Sequence, residues 1–166
     1  TGGMLDENCT TLASGGLTIG ALARAEPPPI SGHVLTNAAG QTATHAAGTL
    51  QFADSSVLLQ DNGFFQNNGT FVVTGGTGID DLTTGPDLEN RFVNPGTFRC
   101  QAASGVTYPA EVFFENTGTV QVASGTLELG RGGAATGGSF SAAAGTTLRF
   151  RGPQTFSATT AFSGAG

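Results

Sequence analysis

The chain contains few charged residues and no lysine. Only 11% of its 166 residues are charged, and six arginines are scattered among twelve acidic residues, for a net charge of −6. A protein that binds nucleic acid or an anionic membrane surface needs a basic patch that neutralises phosphate groups. We therefore expect neither partner. No apolar run approaches the length of about 18 residues that a membrane-spanning helix needs, so we expect no membrane insertion.

Cysteine and the motifs of familiar catalytic sites are also scarce. Trp is absent, Tyr occurs once, and Cys9 and Cys100 lie far apart without the neighbouring Cys or His that would indicate zinc. In an oxidising compartment these cysteines are predicted to form a disulfide, with two buried free thiols as the alternative. No phosphate-binding loop, dinucleotide-binding motif or nucleophile elbow is present, so we predict no cofactor and no enzymatic activity. His33 and His45 are predicted to be surface residues.

Glycine and phenylalanine, by contrast, are abundant and recur in an internal repeat. The chain has 27 glycines and 12 phenylalanines. Segments that begin at Phe65, Phe92 and Phe114 share the pattern Phe-x-Asn-x-Gly-Thr-Φ-x-Φ, in which Φ is apolar. The turn and core positions of the repeat are Asn67, Gly69, Phe71, Asn94, Gly96, Phe98, Asn116, Gly118 and Val120. Degenerate copies around Gly48 and Gly145 extend the repeat on both sides.

Each copy predicts a turn followed by a strand. Asn and Gly tolerate a positive φ, so Asn-x-Gly indicates a turn. The following Φ-x-Φ places both apolar residues on one face and leaves Thr and the intervening polar residue on the other. Repetition at intervals of about 20 to 27 residues predicts an all-β fold, a parallel β-helix of about six stacked coils. A β-sandwich, which also uses many short strands, is the alternative.

These repeats resemble those of large bacterial surface proteins. The Asn-x-Gly-Thr-Φ-x-Φ units, with Ala-Ser-Gly-Thr-Leu-Glu-Leu at 123–129 and Ala-Ala-Ala-Gly-Thr-Thr-Leu-Arg-Phe at 142–150, are similar to the coils of autotransporter passengers and filamentous haemagglutinins. The resemblance covers residues 45–166. It implies a bacterial β-solenoid that is secreted, resides outside the cell or at its surface, and has a structural or adhesive task.

The two ends of the chain differ from the repeats. Residues 1–40 are predicted to form a cap over the first coil or an arm exchanged with a neighbouring copy, and residues 41–166 the β-solenoid. The sequence stops in mid-pattern, with no charged or helical segment to close the last coil. An uncapped coil is a template for strand pairing, so we predict a head-to-tail homopolymer with Leu17, Ile19 and Phe162 as possible subunit contacts. A chain truncated at this end is the alternative.

Acidic residues supply the remaining candidates for a site. Asp80, Asp81, Asp87 and Glu89 cluster between two repeats, where their oxygens could bind calcium, but their spacing matches neither an EF-hand nor the Gly-Gly-x-Gly-x-Asp nonapeptide. A solvated acidic loop is the alternative that we favour. Glu115 and Glu128 are predicted to point outward, where solubility explains them.

The predicted function is therefore structural: an extracellular subunit of a self-assembling fibre or surface matrix. An adhesin module of a larger surface protein is one alternative. A carbohydrate-binding or polysaccharide-processing β-helix is another, with surface glycans as possible partners.

Overall fold

The computed structural model describes residues 10–20, 34–52, 63–81 and 90–165. These residues form nineteen strands and no helix. In chain order the strands are β1 (Thr10–Ala13), β2 (Leu17–Ile19), β3 (Val34–Asn37), β4 (Thr42–His45), β5 (Thr49–Phe52), β6 (Phe64–Asn67), β7 (Thr70–Val73), β8 (Gly78–Asp81), β9 (Arg91–Asn94), β10 (Thr97–Gln101), β11 (Thr107–Glu111), β12 (Phe113–Asn116), β13 (Thr119–Ser124), β14 (Thr126–Leu129), β15 (Gly133–Ala135), β16 (Ser139–Ala142), β17 (Thr147–Phe150), β18 (Gln154–Phe156) and β19 (Ala161–Gly164).

The strands pair in parallel and form three sheets. Sheet 1 has the order β1-β3-β6-β9-β12-β15-β18, sheet 2 the order β2-β4-β7-β10-β13-β16-β19, and sheet 3 the order β5-β8-β11-β14-β17. The chain visits the sheets in turn, so one strand from each makes one coil. The repeat's prediction of a parallel β-helix is confirmed, and the β-sandwich, which is built from antiparallel sheets, is excluded.

The coils vary in length and begin early in the chain. Asn37, Asn67, Asn94 and Asn116 occupy equivalent positions of successive coils, separated by 30, 27 and 22 residues, so the first interval exceeds the predicted range. Sheets 1 and 2 have seven strands each, one level more than the predicted six coils or so. β3 pairs with β6, and β2 with β4. The described part of residues 1–40 therefore stacks on its own chain, and the stack continues through the domain boundary that the sequence predicts.

Two columns of phenylalanine rings run through the interior of the coils. Phe65, Phe92 and Phe114 of sheet 1 stack with ring centroids 4.9 and 5.3 Å apart. Phe71 and Phe98 of sheet 2 stack at 5.3 Å and meet the first column edge to face. These five rings are at most 1% exposed. The alternating apolar positions of the repeat thus build a single continuous core, in which ring stacking adds to the burial of apolar area.

An asparagine ladder, made of Asn37, Asn67, Asn94 and Asn116, runs beside these rings. The four side chains end successive strands of sheet 1 and are at most 1% exposed. Each of the first three donates a hydrogen bond from Nδ2 to Oδ1 of the next, over 2.8, 2.7 and 2.8 Å. The same amides donate to backbone carbonyl groups of the following coil, at Thr70, Thr97 and Thr119. The repeat predicts turn residues here, whereas the side chains point inward and align one coil with the next.

Three glycines, Gly69, Gly96 and Gly118, stack at the turn between sheets 1 and 2. A Cβ added to Gly96 would lie less than 3.0 Å from the carbonyl oxygens of Gly69 and Asn67, and one added to Gly118 less than 3.0 Å from that of Gly96. None of the three has the positive φ that other glycines of the chain adopt. Glycine is required at these positions because successive backbones approach closely, and not because of the positive φ on which the turn prediction depends.

Candidate functional site

One interior column of sheet 2 passes through every level of the stack. Its members are register partners on successive strands: Leu17, Ala43, Phe71, Phe98, Val120, Phe140 and Phe162. The five inner members are at most 2% exposed, whereas Phe162 is 55% exposed. Two of the predicted subunit contacts, Leu17 and Phe162, are therefore the opposite ends of one column. The third, Ile19, lies in the neighbouring inward column, in register with His45.

The last level of the stack ends in a cluster of phenylalanines. Phe162 stacks on Phe140 with centroids 5.3 Å apart and meets Phe156 edge to face at 5.1 Å. Phe156 is 39% exposed, although its register partner Ala135 is buried. Phe156 and Phe162 thus have core positions and core contacts but no further level of the described chain above them. Both rings are therefore partly exposed in the described structure.

The terminal strands carry no charge to protect their edges. Neither residues 10–20 nor residues 152–165 include Asp, Glu, Lys or Arg. Charged side chains on an edge strand are a common defence against pairing with another chain. Within the described part of the chain, β18 and β19 each have a single strand neighbour. No further strand of the described chain pairs with the C-terminal edges of sheets 1 and 2.

The N-terminal level presents smaller side chains. Leu17 and Ile19 are partly buried against the core, and Ala13 is in register with Asn37. The asparagine ladder stops here because alanine occupies the next position. As a result, the buried Oδ1 of Asn37 has no hydrogen-bond partner among the described residues.

The three outward faces of the β-helix differ in chemistry. The hydroxyl face, on sheet 2, carries an in-register column of Thr42, Thr70, Thr97, Thr119 and Ser139. The charged face, on sheet 3, carries Asp80, Glu111, Glu128 and Arg149. The aromatic face, on sheet 1, carries Leu12, Val34, Thr36, Phe64, Gln66, Arg91, Val93, Phe113, Glu115, Ala134 and Thr155.

Comparison of the chain with protein-family models, curated protein sequences and solved structures finds no match. The described residues also contain no helix of the length and apolar character that crossing a membrane requires. The chemistry of the ends and faces is therefore the basis on which a function can be inferred.

Both glutamates that the sequence places outward are ion-paired. Glu115 pairs with Arg91 on the aromatic face. Glu128 is only 6% exposed, because Arg149 and Arg151 lie over it and donate hydrogen bonds of 2.9 and 3.0 Å. The hydrogen bonds from Arg151 and then Arg149 lower the pKa of Glu128 below its ordinary value. These pairs connect successive coils.

The structure describes two of the four residues of the calcium prediction. Asp80 and Asp81 lie on β8, and the Asp81 carboxylate, 1% exposed, accepts a hydrogen bond of 2.5 Å from Arg131. Asp87 and Glu89 lie outside the described residues. Among the residues that are described, no group of three or more His, Cys, Asp or Glu could hold a metal ion. Calcium binding therefore stays an untested alternative to the solvated acidic loop that the sequence analysis favours.

The disulfide prediction also involves a residue that is not described. Cys100 is buried with a free thiol, and its Sγ lies 3.8 Å from the carbonyl oxygen of Ser124. Burial raises the pKa of this thiol, so it is a poor nucleophile at neutral pH. Cys9 lies outside the described residues, and the bridge stays a prediction.

His45 is not the surface residue that the sequence predicts. It is fully buried, its Nδ1 lies 2.5 Å from the hydroxyl of Tyr108, and its Nε2 lies 3.0 Å from the carbonyl oxygen of Gly48. A carbonyl only accepts, so Nε2 carries the proton and Nδ1 accepts the Tyr108 hydrogen bond. Burial lowers the pKa of His45 and raises that of Tyr108 well above its ordinary value. The neutral pair connects β4 to β11 across the interior.

Acid is expected to destabilise the β-helix through His45. The folded pKa lies below the ordinary value of 6.5, so the unfolded chain binds more protons below that pH. The contribution to stability is complete above pH 6.5 and declines as the pH falls, by at most about 1.4 kcal/mol per pH unit. Urea unfolding between pH 7.5 and 5, monitored by circular dichroism, measures this slope. His45→Gln should reduce the slope and His33→Gln should retain it; an unchanged slope in His45→Gln contradicts the assignment.

Proposed function

We propose that this chain is an extracellular structural protein, a subunit of a fibre or surface matrix that assembles by end-to-end stacking of β-helices. The observation that supports this proposal is the interior column from Leu17 to Phe162, whose last ring is 55% exposed and lies in a segment, residues 152–165, that has no charged residue. Fully burying such a side chain is favourable by roughly 1.5–3 kcal/mol, and Phe162, at 55% exposure, would gain about half of that. A second copy placed on this end would supply that burial.

The two ends are compatible with continued parallel pairing. In an end-to-end stack, β18 of one copy pairs with β1 of the next, and β19 pairs with β2. Phe162 then lies against Leu17, and Phe156 against Ala13. Within the chain the same combination of large against small already occurs, because Phe71 is the register partner of Ala43.

Stacking of this type produces a polymer. The two contact surfaces are different and the translation does not close on itself, so each added copy leaves a new free end. Every junction adds backbone hydrogen bonds at the ladder spacing of about 4.8 Å and extends the core. A stiff fibre results, whose function is mechanical.

Assembly is expected to depend on the exposed end. Light scattering and negative-stain electron microscopy of the purified chain should show rods that lengthen with concentration. Phe162→Asp places a charge at the junction and should give monomers, and Ser163→Asp, on the exposed outward side of β19, tests the same edge without altering the core. Val106→Asp is the matched control, because Val106 is 45% exposed at a turn away from either end, and it should assemble normally. Monomers of the unaltered chain at every concentration would refute the proposal.

The other predicted functions lead to different expectations for the C-terminal end that carries Phe162. In an adhesin module, further coils of a larger surface protein cover Phe162, so the isolated chain should associate weakly or not at all. A glycan-binding β-helix remains an alternative. Secretion, a bacterial surface location and the resemblance to autotransporter passengers and filamentous haemagglutinins stay predictions.

A further inference from the structure

Six of the eleven described outward residues of the aromatic face are apolar, and they include two phenylalanines. Phe64 and Phe113 are half-buried on its outer side, and Leu12 at its N-terminal end is 62% exposed. Strands with one solvated face normally alternate apolar residues inside with polar residues outside. The hydroxyl and charged faces follow that rule, whereas the aromatic face does not. Outward aromatic and aliphatic side chains on such a face favour contact with a partner.

The charges on the aromatic face are self-complementary. Arg91 and Glu115 are its two charged residues and lie on neighbouring strands, β9 and β12. They pair with each other, and the Arg91 guanidinium lies 4.9 Å from the centre of the Phe113 ring. A surface that carries one cation and one anion side by side matches a second copy of itself when a two-fold axis exchanges them.

We propose that two copies of the β-helix pair laterally through their aromatic faces, with the two helices antiparallel. The two-fold axis that exchanges the positions of β9 and β12 passes between these strands and reverses the stacking direction. It places Arg91 of one copy against Phe113 and Glu115 of the other. It also places Phe64 opposite the level of Gly132 and Ala134, where the small side chains leave room for a ring.

The size of the face predicts a weak single contact. Six intervals of about 4.8 Å between seven strands give it a length of about 29 Å, and three residues give a width of about 10 Å. The area of about 300 Å² per copy is well below that of a standard stable interface. One pair of monomers therefore associates only at high concentration. Copies joined end to end repeat the contact along the fibre, so lateral pairing there is cooperative.

This inference goes beyond end-to-end stacking and can be tested without it. In the Phe162→Asp background, sedimentation equilibrium from micromolar to millimolar concentration should show a monomer–dimer equilibrium. Arg91→Glu and Glu115→Arg should each lower the association constant at least about tenfold, because each places like charges together. An equimolar mixture of these two variants should restore dimers, since one face is then acidic and the other basic. Val106→Asp should leave the dimer unchanged.

The outcomes separate the two proposals. Long but single fibres of the unaltered chain, with no dimer in the Phe162→Asp background, would overturn lateral pairing and leave end-to-end stacking intact. Dimers without fibres would overturn stacking and support pairing. A mixture of Arg91→Glu and Glu115→Arg that stays monomeric at millimolar concentration overturns the pairing geometry. Retention of the chain on immobilised neutral oligosaccharides, lost in Phe64→Ser without any dimer, assigns the face to a glycan instead.

Discussion

Replacement of Asn94 by alanine is expected to lower the free energy of unfolding by about 2–5 kcal/mol, because it leaves buried polar groups without partners on both sides. Asn94 accepts a hydrogen bond from Asn67 through Oδ1 and donates to Asn116 Oδ1 and to the Thr119 carbonyl. Removing the amide leaves the Asn116 oxygen buried without a donor and takes one of two acceptors from the Asn67 amide. Thermal or urea denaturation monitored by circular dichroism measures the loss.

Two other asparagines provide the controls for this prediction. Asn116→Ala, at the C-terminal end of the asparagine ladder, breaks a single link and should cost less than Asn94→Ala. Asn68→Ala changes an exposed residue of the neighbouring turn and should stay within about 0.5 kcal/mol of the unaltered chain. If all three variants lost the same free energy of unfolding, the hydrogen bonds of the asparagine ladder would not be the source of the loss in Asn94→Ala.

Replacement of Gly96 by alanine is expected to cost about 3 kcal/mol or more, since the added methyl group meets rigid backbone and not a mobile side chain. The nearest atoms belong to the carbonyl groups of Gly69 and Asn67 in the coil below. Those two carbonyls accept hydrogen bonds from Thr97 and Gly96, over 2.9 and 2.8 Å, so the coils cannot separate without losing them. We expect the variant to unfold at a markedly lower temperature or to accumulate as insoluble protein.

Gly15→Ala is the matched control for Gly96→Ala. Nothing lies within 4 Å of a Cβ added to Gly15, and its φ is not in the left-handed region. This substitution should be neutral or slightly stabilising, because alanine restricts the unfolded chain. If Gly96→Ala unfolded at the same temperature as Gly15→Ala, the coils would be farther apart than the structure shows.

The repeat predicts the interior of the β-helix because residues at equivalent repeat positions are register partners on adjacent strands. Phe65, Phe92 and Phe114 occupy the same repeat position and are register partners on adjacent strands. The hydrogen-bonding pattern of parallel strands at constant register forces equivalent residues into columns. Phe-x-Asn-x-Gly-Thr-Φ-x-Φ therefore predicts both the sheets and the residues that face inward.

The role of the asparagines is harder to infer because Asn occurs both in turns and in hydrogen-bonded columns of side chains. Asn favours turns through its own backbone contacts, which is the property that the sequence analysis uses. A column of Asn side chains at ladder spacing can instead form a chain of amide hydrogen bonds. The signal that distinguishes them is Asn37, which stands in the same column without the following Gly-Thr.

The surroundings of a residue that lies outside the repeat motif cannot be inferred from equivalent positions in other coils. His45 is buried in the interior, where its hydrogen-bond partner Tyr108 lies 63 residues away in the sequence. The strands β1 and β2 likewise lack the repeat motif, yet they pair in register with β3 and β4. A terminal level has a neighbour on one side only, so fewer contacts constrain its sequence.

Site-specific cross-linking tests most directly whether the coil register continues from one copy to the next. In a chain with Cys9→Ser and Cys100→Ala, cysteines replace the outward residues Thr18 and Ser163, whose column runs through Thr44 and Ser141. Continued register brings their Cα atoms to about 4.8 Å, within the range that a disulfide spans. Oxidation should then give a series of covalent multimers, whereas the pair Leu12→Cys and Ser163→Cys, on different sheets, should give none. Equal cross-linking by both pairs, or by neither, would contradict end-to-end stacking in register.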